Sequence, residues 1–268
     1  DAICVGAEVI SVSNTLDTNK VNPEATEQMM EGLKKAALEQ KIVIPGGEIA
    51  ELSSMVNGNV WNSTAIGVVK KDRVIDGSKV AAGDVIIGLR SAGFRSNGYT
   101  LVRHILKENF GEDWHNEKFD DTKTWGQVTL TPAKIYHNFV LSMHGRFNEE
   151  PKVELKGVVH VTGGGLPGNV VRLTKKKGLG AELNNLPAPH SEMLKLQELG
   201  NVEDSEAYKT WNMGVGMILV VGKDEAQKVL DTAQAAGMDA QQIGVITEDA
   251  GTKLTSQGHF KKDEVLNF

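Results

Sequence analysis

The stretch VVHVTGGGLPGNVVRL, residues 158–173, restricts the fold more than any other in the chain. Its apolar start reads as a strand and its end as a helix, with three consecutive glycines, Gly163, Gly164 and Gly165, between them. Glycine takes up positive φ freely and lets other groups approach the backbone, at an extra entropic cost of ordering. A strand–glycine–helix passage presents backbone N–H groups at a helix start, a ready anion site. The spacing is neither GxxxxGKS/T nor GxGxxG, and such loops serve as tight connections about as often as they hold ligands. His160, at the strand end, alone reads as a satisfied histidine; beside bare backbone it becomes a candidate catalytic group.

The rest of the chain alternates strands and helices in a similar way. Asn22 reads as the N-cap of a helix with Pro23 in its first position, and Met29, Leu33, Ala36 and Ala37 share one face. KIVIPGGE reads as a short strand running into Pro-Gly-Gly, and AAGDVIIGLRSAG as a buried strand closed by a glycine-bearing loop. SNGYTLVRHILKENFG predicts a helix ended by Gly111; residues 112–128 show no clear period and read as loop. LTPAKIYHNFVLSMHG predicts a helix capped by Thr131 and opened by Pro132. KGVVHV is a strand, LPGNVVRLTKKKG a short helix, and residues 216–246 read strand, helix, strand. The expected class is α+β with a mixed sheet, divided near Asp76–Gly77 into units 1–75 and 76–268.

Charge and cysteine content narrow the function classes. A net charge of −6 and a pI near 5.7 leave no electrostatic footprint for nucleic acid or an anionic membrane. The single cysteine, Cys4, excludes an internal disulfide and reads as a buried structural thiol. No apolar run reaches a membrane span and no signal peptide precedes the fold, so a soluble cytoplasmic protein is expected. The opening residues DAICVGAEVISVS read as strand or turn already inside a fold, as though a segment preceded them.

Three further loops carry candidate chemistry. In IPGGEIAEL, Glu48 and Glu51 follow Gly46 and Gly47 and would share a face in a helical turn, as hard oxygen ligands for Mg²⁺. The plain alternative is an acidic first helical turn. In SAGFRSNGYT, Arg95 can clamp a phosphate or carboxylate, while Ser96 or Asn97 reads as an N-cap. Asn212, in YKTWNMGVGMILVV, precedes two glycines and a buried strand, which is either a ligand contact or a bulge.

Taken in order, GAE, GGExAE, GVVKKDRVIDG, AGDVIIGL, SNGYTLVR, LTPAKIY, HVTGGGLPGN and LQELGNVEDSEAYKTWNMGVGMILVV resemble the phosphoribosylformylglycinamidine cyclo-ligases, the AIR synthetases, over nearly the whole chain. The resemblance implies a two-domain α+β protein whose first unit forms a barrel with the same unit of a partner, as a homodimer. It implies ATP, Mg²⁺ and a small nucleotide substrate: phosphorylation of an amide oxygen, then closure of an imidazole ring. It places Asp1 and Glu48, with Glu51, on the Mg²⁺–ATP side, and His160 at proton transfer or orientation. Gly163 to Gly165 would hold a substrate phosphate, with Gly46, Gly47, Ser96, Asn97 and Asn212 as further contacts. It also implies a glycine-rich, Asp-containing segment ahead of Asp1. The chain departs from the family pattern at Arg95, which stands for a histidine, and at Asn14, which stands for an acid. Those departures keep two alternatives open: a sister ATP-dependent kinase or synthase, and a non-catalytic nucleotide-binding paralogue.

Overall fold

The computed structural model describes all 268 residues. Two sheets organise the chain. In the first, β1 (Glu8–Thr18) lies between β2 (Gly47–Glu51), parallel to it, and β3 (Asn59–Val68), antiparallel to it. The parallel pair needs a crossover, supplied by α1 (Pro23–Gln40). Asn22 caps α1 by accepting from Ala25 N–H, and the face carrying Met29, Leu33, Ala36 and Ala37 is half-buried. The expected strand at KIVI is displaced: Val43 makes a single bridge to Ser11, and pairing with β1 resumes only at Gly47.

The second sheet has seven strands in the order β10-β9-β6-β8-β4-β7-β5. These are β4 (Val85–Arg90), β5 (Leu155–His160), β6 (Gly180–Leu183), β7 (Val215–Val221), β8 (Ala240–Thr247), β9 (Gly251–Thr255) and β10 (Val265–Asn267). All its pairings are antiparallel except β6 with β9, so the sheet is mixed. On one face lie α2 (Tyr99–Phe110), α3 (Trp125–Thr129), α5 (Gly165–Thr174), α6 (Ser191–Gly200) and α7 (Asp204–Thr210). On the other lie α4 (His137–His144) and α8 (Ala226–Ala235). Ile218 and Val220 of β7 enter the first core, while Met217, Leu219 and Val221 enter the second. Burial on both faces explains why VIIGL and VGMILVV read as continuous apolar runs rather than alternating ones.

Three local expectations change. The stretch taken as loop contains α3, whose Thr124 and Gln127 form a reciprocal capping box and whose Trp125 is fully buried. The helix expected from Thr131 begins only at His137, because residues 131–136 run irregularly and carry Tyr136 to the Arg90 carbonyl. The N-cap of α2 is Gly98, at φ 78°, rather than Ser96 or Asn97. No helix is long and apolar enough to cross a membrane.

Candidate functional site

β5 is an edge strand, and its last residue, His160, opens onto the glycine loop. The three glycines meet three different demands. Gly163 is exposed, and the nearest atom to a Cβ placed there is Asn97 Oδ1 at 3.8 Å. Gly164 sits at φ 94°. Gly165 combines φ 59° with the closest approach in the loop, since a Cβ there would fall 1.8 Å from the Tyr208 carbonyl. The fully buried Asn169 side chain donates to the carbonyls of Thr162, Gly163 and Gly165. With those carbonyls gathered on one amide, the N–H groups of Gly163 and Gly164 have no backbone acceptor. They form two free donors at the start of α5, where helix dipole and amides favour an anion. Beside them lies a hollow of about 550 Å³, lined by Gly164, Pro167, Gly168 and the exposed Lys209.

On the other side of His160 stand Arg95 and Asp1. The Arg95 Nη2 lies 2.5 Å from His160 Nε2, and His160 Nδ1 lies 2.6 Å from Asp1 Oδ1. Guanidinium has no acceptor. Nε2 must therefore be bare, Nδ1 carries the hydrogen, and the imidazole donates to the Asp1 carboxylate. Burial, then the Arg95 charge, lowers the His160 pKa to about 4, so the ring is neutral at pH 7. Arg95 also donates from Nη1 to the Gly216 carbonyl at 3.0 Å and lies over the Tyr136 ring, 5.2 Å from its centroid. Gly216 has no room for a side chain, because a Cβ would stand 2.1 Å from Tyr136 Oη and 2.6 Å from Arg95 Nη1. Cys4, nearby, is a free thiol whose pKa burial raises, consistent with a structural role.

The structure thus brings His160, Arg95, Asp1, Asn97 and the glycine loop together, and separates the remaining candidates. Glu48 and Glu51 do not share a helical face: both lie on β2, where residues three apart point to opposite sides. Glu51 accepts from Val21 N–H, and Glu48 from the N–H of Ile49. Glu48, Gly46 and Gly47 line a separate cleft of about 360 Å³ with Asn14, Met30 and Trp61. No group of three or more His, Cys, Asp or Glu side chains is positioned to hold a metal ion, so Asp1, Glu48 and Glu51 do not form a ligand set within one chain. Ser96 is exposed beside the loop. Asn212 is buried and spends its hydrogen-bonding capacity inside the protein, so it is no ligand contact.

Several residues went unread in the sequence: Asn169, Tyr136, Gly216, Ser91 and His190. Asn169 had a visible signal, an amide four residues after Gly165 at the start of a helix. Tyr136 and Gly216 had none, since only the fold sets them against Arg95.

Residues 1–69 match the family described as AIR synthase related protein, N-terminal domain, and residues 81–257 match its C-terminal domain. The phosphoribosylformylglycinamidine cyclo-ligase of Methanocaldococcus jannaschii is 37% identical over 267 residues, covering 98% of this chain and 74% of the relative. That of Staphylococcus carnosus is 37% identical over 261 residues, covering 96% and 73%. Among solved structures, thiamine-monophosphate kinase from Stenotrophomonas maltophilia superposes with a TM-score of 0.69 at 14% identity, over 98% of this chain and 76% of that one. The hydrogenase maturation protein HypE in complex with ATP gives 0.66 at 14% identity, over 98% and 74%. At such identities the structures speak for the fold alone.

Proposed function

Because the chain belongs to the AIR synthase related family, with cyclo-ligase relatives 37% identical along nearly its whole length, we propose that it closes the imidazole ring of aminoimidazole ribonucleotide from formylglycinamidine ribonucleotide at the expense of ATP. One observation carries the reading: free amides at Gly163 and Gly164 adjoin a neutral imidazole bracketed by a fixed cation and a carboxylate. The γ-phosphoryl group moves to the amide oxygen and ADP departs. The internal nitrogen then attacks the activated carbon; a C–N bond forms, the C–O bond breaks, and phosphate leaves with the oxygen while the nitrogen loses a proton. Phosphoryl transfer of this kind needs positioning and charge neutralisation above all. Gly163 and Gly164 N–H, with Lys209 beside them, suit a phosphate, and Arg95 suits the charge that develops on the transferred group. His160 orients Asp1 through Nδ1–H. Its Nε2 becomes a proton acceptor only where Arg95 gives up that contact to substrate.

In this reading the free amides take a phosphate, and the separate cleft at Gly46–Glu48 is a second candidate place for the nucleotide. Magnesium would neutralise nucleotide phosphates, met by Asp1 or by Glu48 singly, since the two acids stand in separate places. The chain's own carboxylates do not gather into a cation site, and no step is routed through the ion. The same reading divides the chain into a nucleotide-binding and dimerising unit, 1–75, and a second unit, 76–268. Its partner is a second copy, and its compartment the cytoplasm.

The test is turnover of formylglycinamidine ribonucleotide with Mg²⁺–ATP by the folded protein. Equal yields of aminoimidazole ribonucleotide and ADP support the reading. ADP release only with other amide or acid substrates favours a sister kinase or synthase, and nucleotide binding without any turnover favours a non-catalytic paralogue.

A further inference from the structure

Arg95 is a non-glycine residue held in the left-handed region, at φ 67°, with a buried Nε–H that has no partner. Such a backbone persists only where its surroundings over-determine it. The surroundings are a buried polar cluster that the proposed chemistry does not use. Asn212 donates from Nδ2 to the carbonyls of Gly93 (2.8 Å) and Phe94 (3.3 Å), the two residues before Arg95. Its Oδ1 accepts from Ser91 Oγ at 2.8 Å and from Gly214 N–H at 2.9 Å. Ser91, 2% exposed, has one hydroxyl hydrogen, and Asn212 takes it. The contact between Ser91 Oγ and His190 Nε2, 2.9 Å, must then be donated by the imidazole. Ser91 N–H also donates to the Gly214 carbonyl. On the Asn212 side of the cluster, Met213 is a second left-handed non-glycine residue, at φ 44°, and the strand that follows delivers Gly216, whose carbonyl receives Arg95 Nη1.

We propose that Ser91, Asn212 and His190 form a clamp that sets the backbone of residues 91–95 and thereby fixes the Arg95 guanidinium on His160. They are positioning residues, acting on the reaction only through Arg95. One amide ties together the two loops that Arg95 bridges, and each of its four contacts falls within four residues of either Arg95 or Gly216. His190, with its pKa lowered to about 4 by burial and the Arg90 charge, stays a neutral donor to Ser91.

As it concerns turnover, the proposal rests on the cyclo-ligase reading, so its test has two independent readouts. The variants are Ser91→Ala, Asn212→Asp, and the pair His190→Gln and His190→Leu, each first checked for a folded circular dichroism spectrum. In the turnover assay, Ser91→Ala and Asn212→Asp are expected to lower kcat about tenfold or more with KM for ATP within about twofold, and to add nothing in an Arg95→Ala background. His190→Gln, which keeps a donor, retains kcat; His190→Leu does not. In ¹⁵N NMR, the Arg95 Nε–H signal, assigned by its loss in Arg95→Lys, is expected to be distinct and slowly exchanging in the wild type. In Ser91→Ala it should move to the exchange regime of free arginine. Additive kcat losses on Arg95→Ala, or an unchanged Arg95 signal in folded Ser91→Ala, overturn the clamp. Should Asn212→Asp fail to fold, Ser91→Ala decides the matter. Should the wild type show no turnover, the cyclo-ligase reading falls, and the Arg95 signal still decides the clamp.

Discussion

Gly163 and Gly165 are neighbours of the same type with opposite obligations. Alanine at 165 would take a left-handed φ, costing about 1–2 kcal/mol, and would drive its Cβ into the Tyr208 carbonyl. Gly165→Ala should therefore lower unfolding free energy by roughly 3 kcal/mol in urea titration. Gly163→Ala should leave stability within about 0.5 kcal/mol, because its Cβ finds open space. The same methyl would crowd the free amide, so KM for the phosphate-bearing substrate should rise severalfold. Equal stability losses at the two positions would contradict this division. The histidines add a pH signature. His160 and His190 both have pKa values lowered to about 4, below the roughly 6.5 of an unfolded chain. Between those values the unfolded state binds protons that the folded state refuses, so stability falls as pH drops from about 6.5 toward 4. Unfolding free energies from urea titration at pH 7.5, 6.0 and 4.8 should decline in that order, by roughly 2–4 kcal/mol overall, with little change between pH 7 and 8. The upper end takes both shifts undiscounted over that window, and the lower end allows for solvent screening of half-buried rings. A flat profile across the acid window would contradict the neutral rings.

Elements whose own residues carry the signal were legible; those fixed by distant partners were not. The cap and proline of α1, the double-sided core runs of β4 and β7, and the strand–glycine–helix passage of β5 and α5 all stand where their local pattern puts them. The helix expected from Thr131 starts five residues late because Tyr136 is drawn to the Arg90 carbonyl, a demand invisible in LTPAKIY. Glu48 and Glu51 misled for a related reason: a GGE turn reads as a helix start, but pairing with β1 makes it a strand and splits the two acids. The site was half-legible. The glycine loop, His160, Asp1 and Arg95 could be named, while Asn169, Tyr136 and the Ser91–Asn212–His190 cluster needed three-dimensional partners. A further dependence sits at the junction of the two sheets. Arg73 donates to the carbonyls of Glu149 (2.6 Å), His144 (2.6 Å) and Gly145 (3.0 Å), closing the end of α4. Arg73→Ala leaves those acceptors without their charged donor and should cost about 2–4 kcal/mol by chemical denaturation. A loss below 1 kcal/mol would mean that water replaces it.

At the scale of the whole molecule, the two sheets are unequally finished. The seven-stranded sheet is covered on both faces, whereas the three-stranded sheet shows apolar side chains to solvent: Ile66 is 57% exposed, Val60 and Ile49 45% and Trp61 40%. Its outer strands, β2 and β3, each have an unpaired edge. Apolar surface beside open edges fits a second copy of the same sheet. Sedimentation velocity at micromolar concentration should therefore give a dimer, and Ile66→Lys a monomer with its second sheet intact; a wild-type monomer would oppose a shared barrel. Phosphorylation of the amide oxygen before ring closure leaves an isotopic trace. The formyl oxygen of the substrate is labelled with ¹⁸O, and the phosphate released in a single turnover is weighed by mass spectrometry. One ¹⁸O should leave in the phosphate for each ring closed. Ring closure that yields unlabelled phosphate, with the label in water, would contradict it.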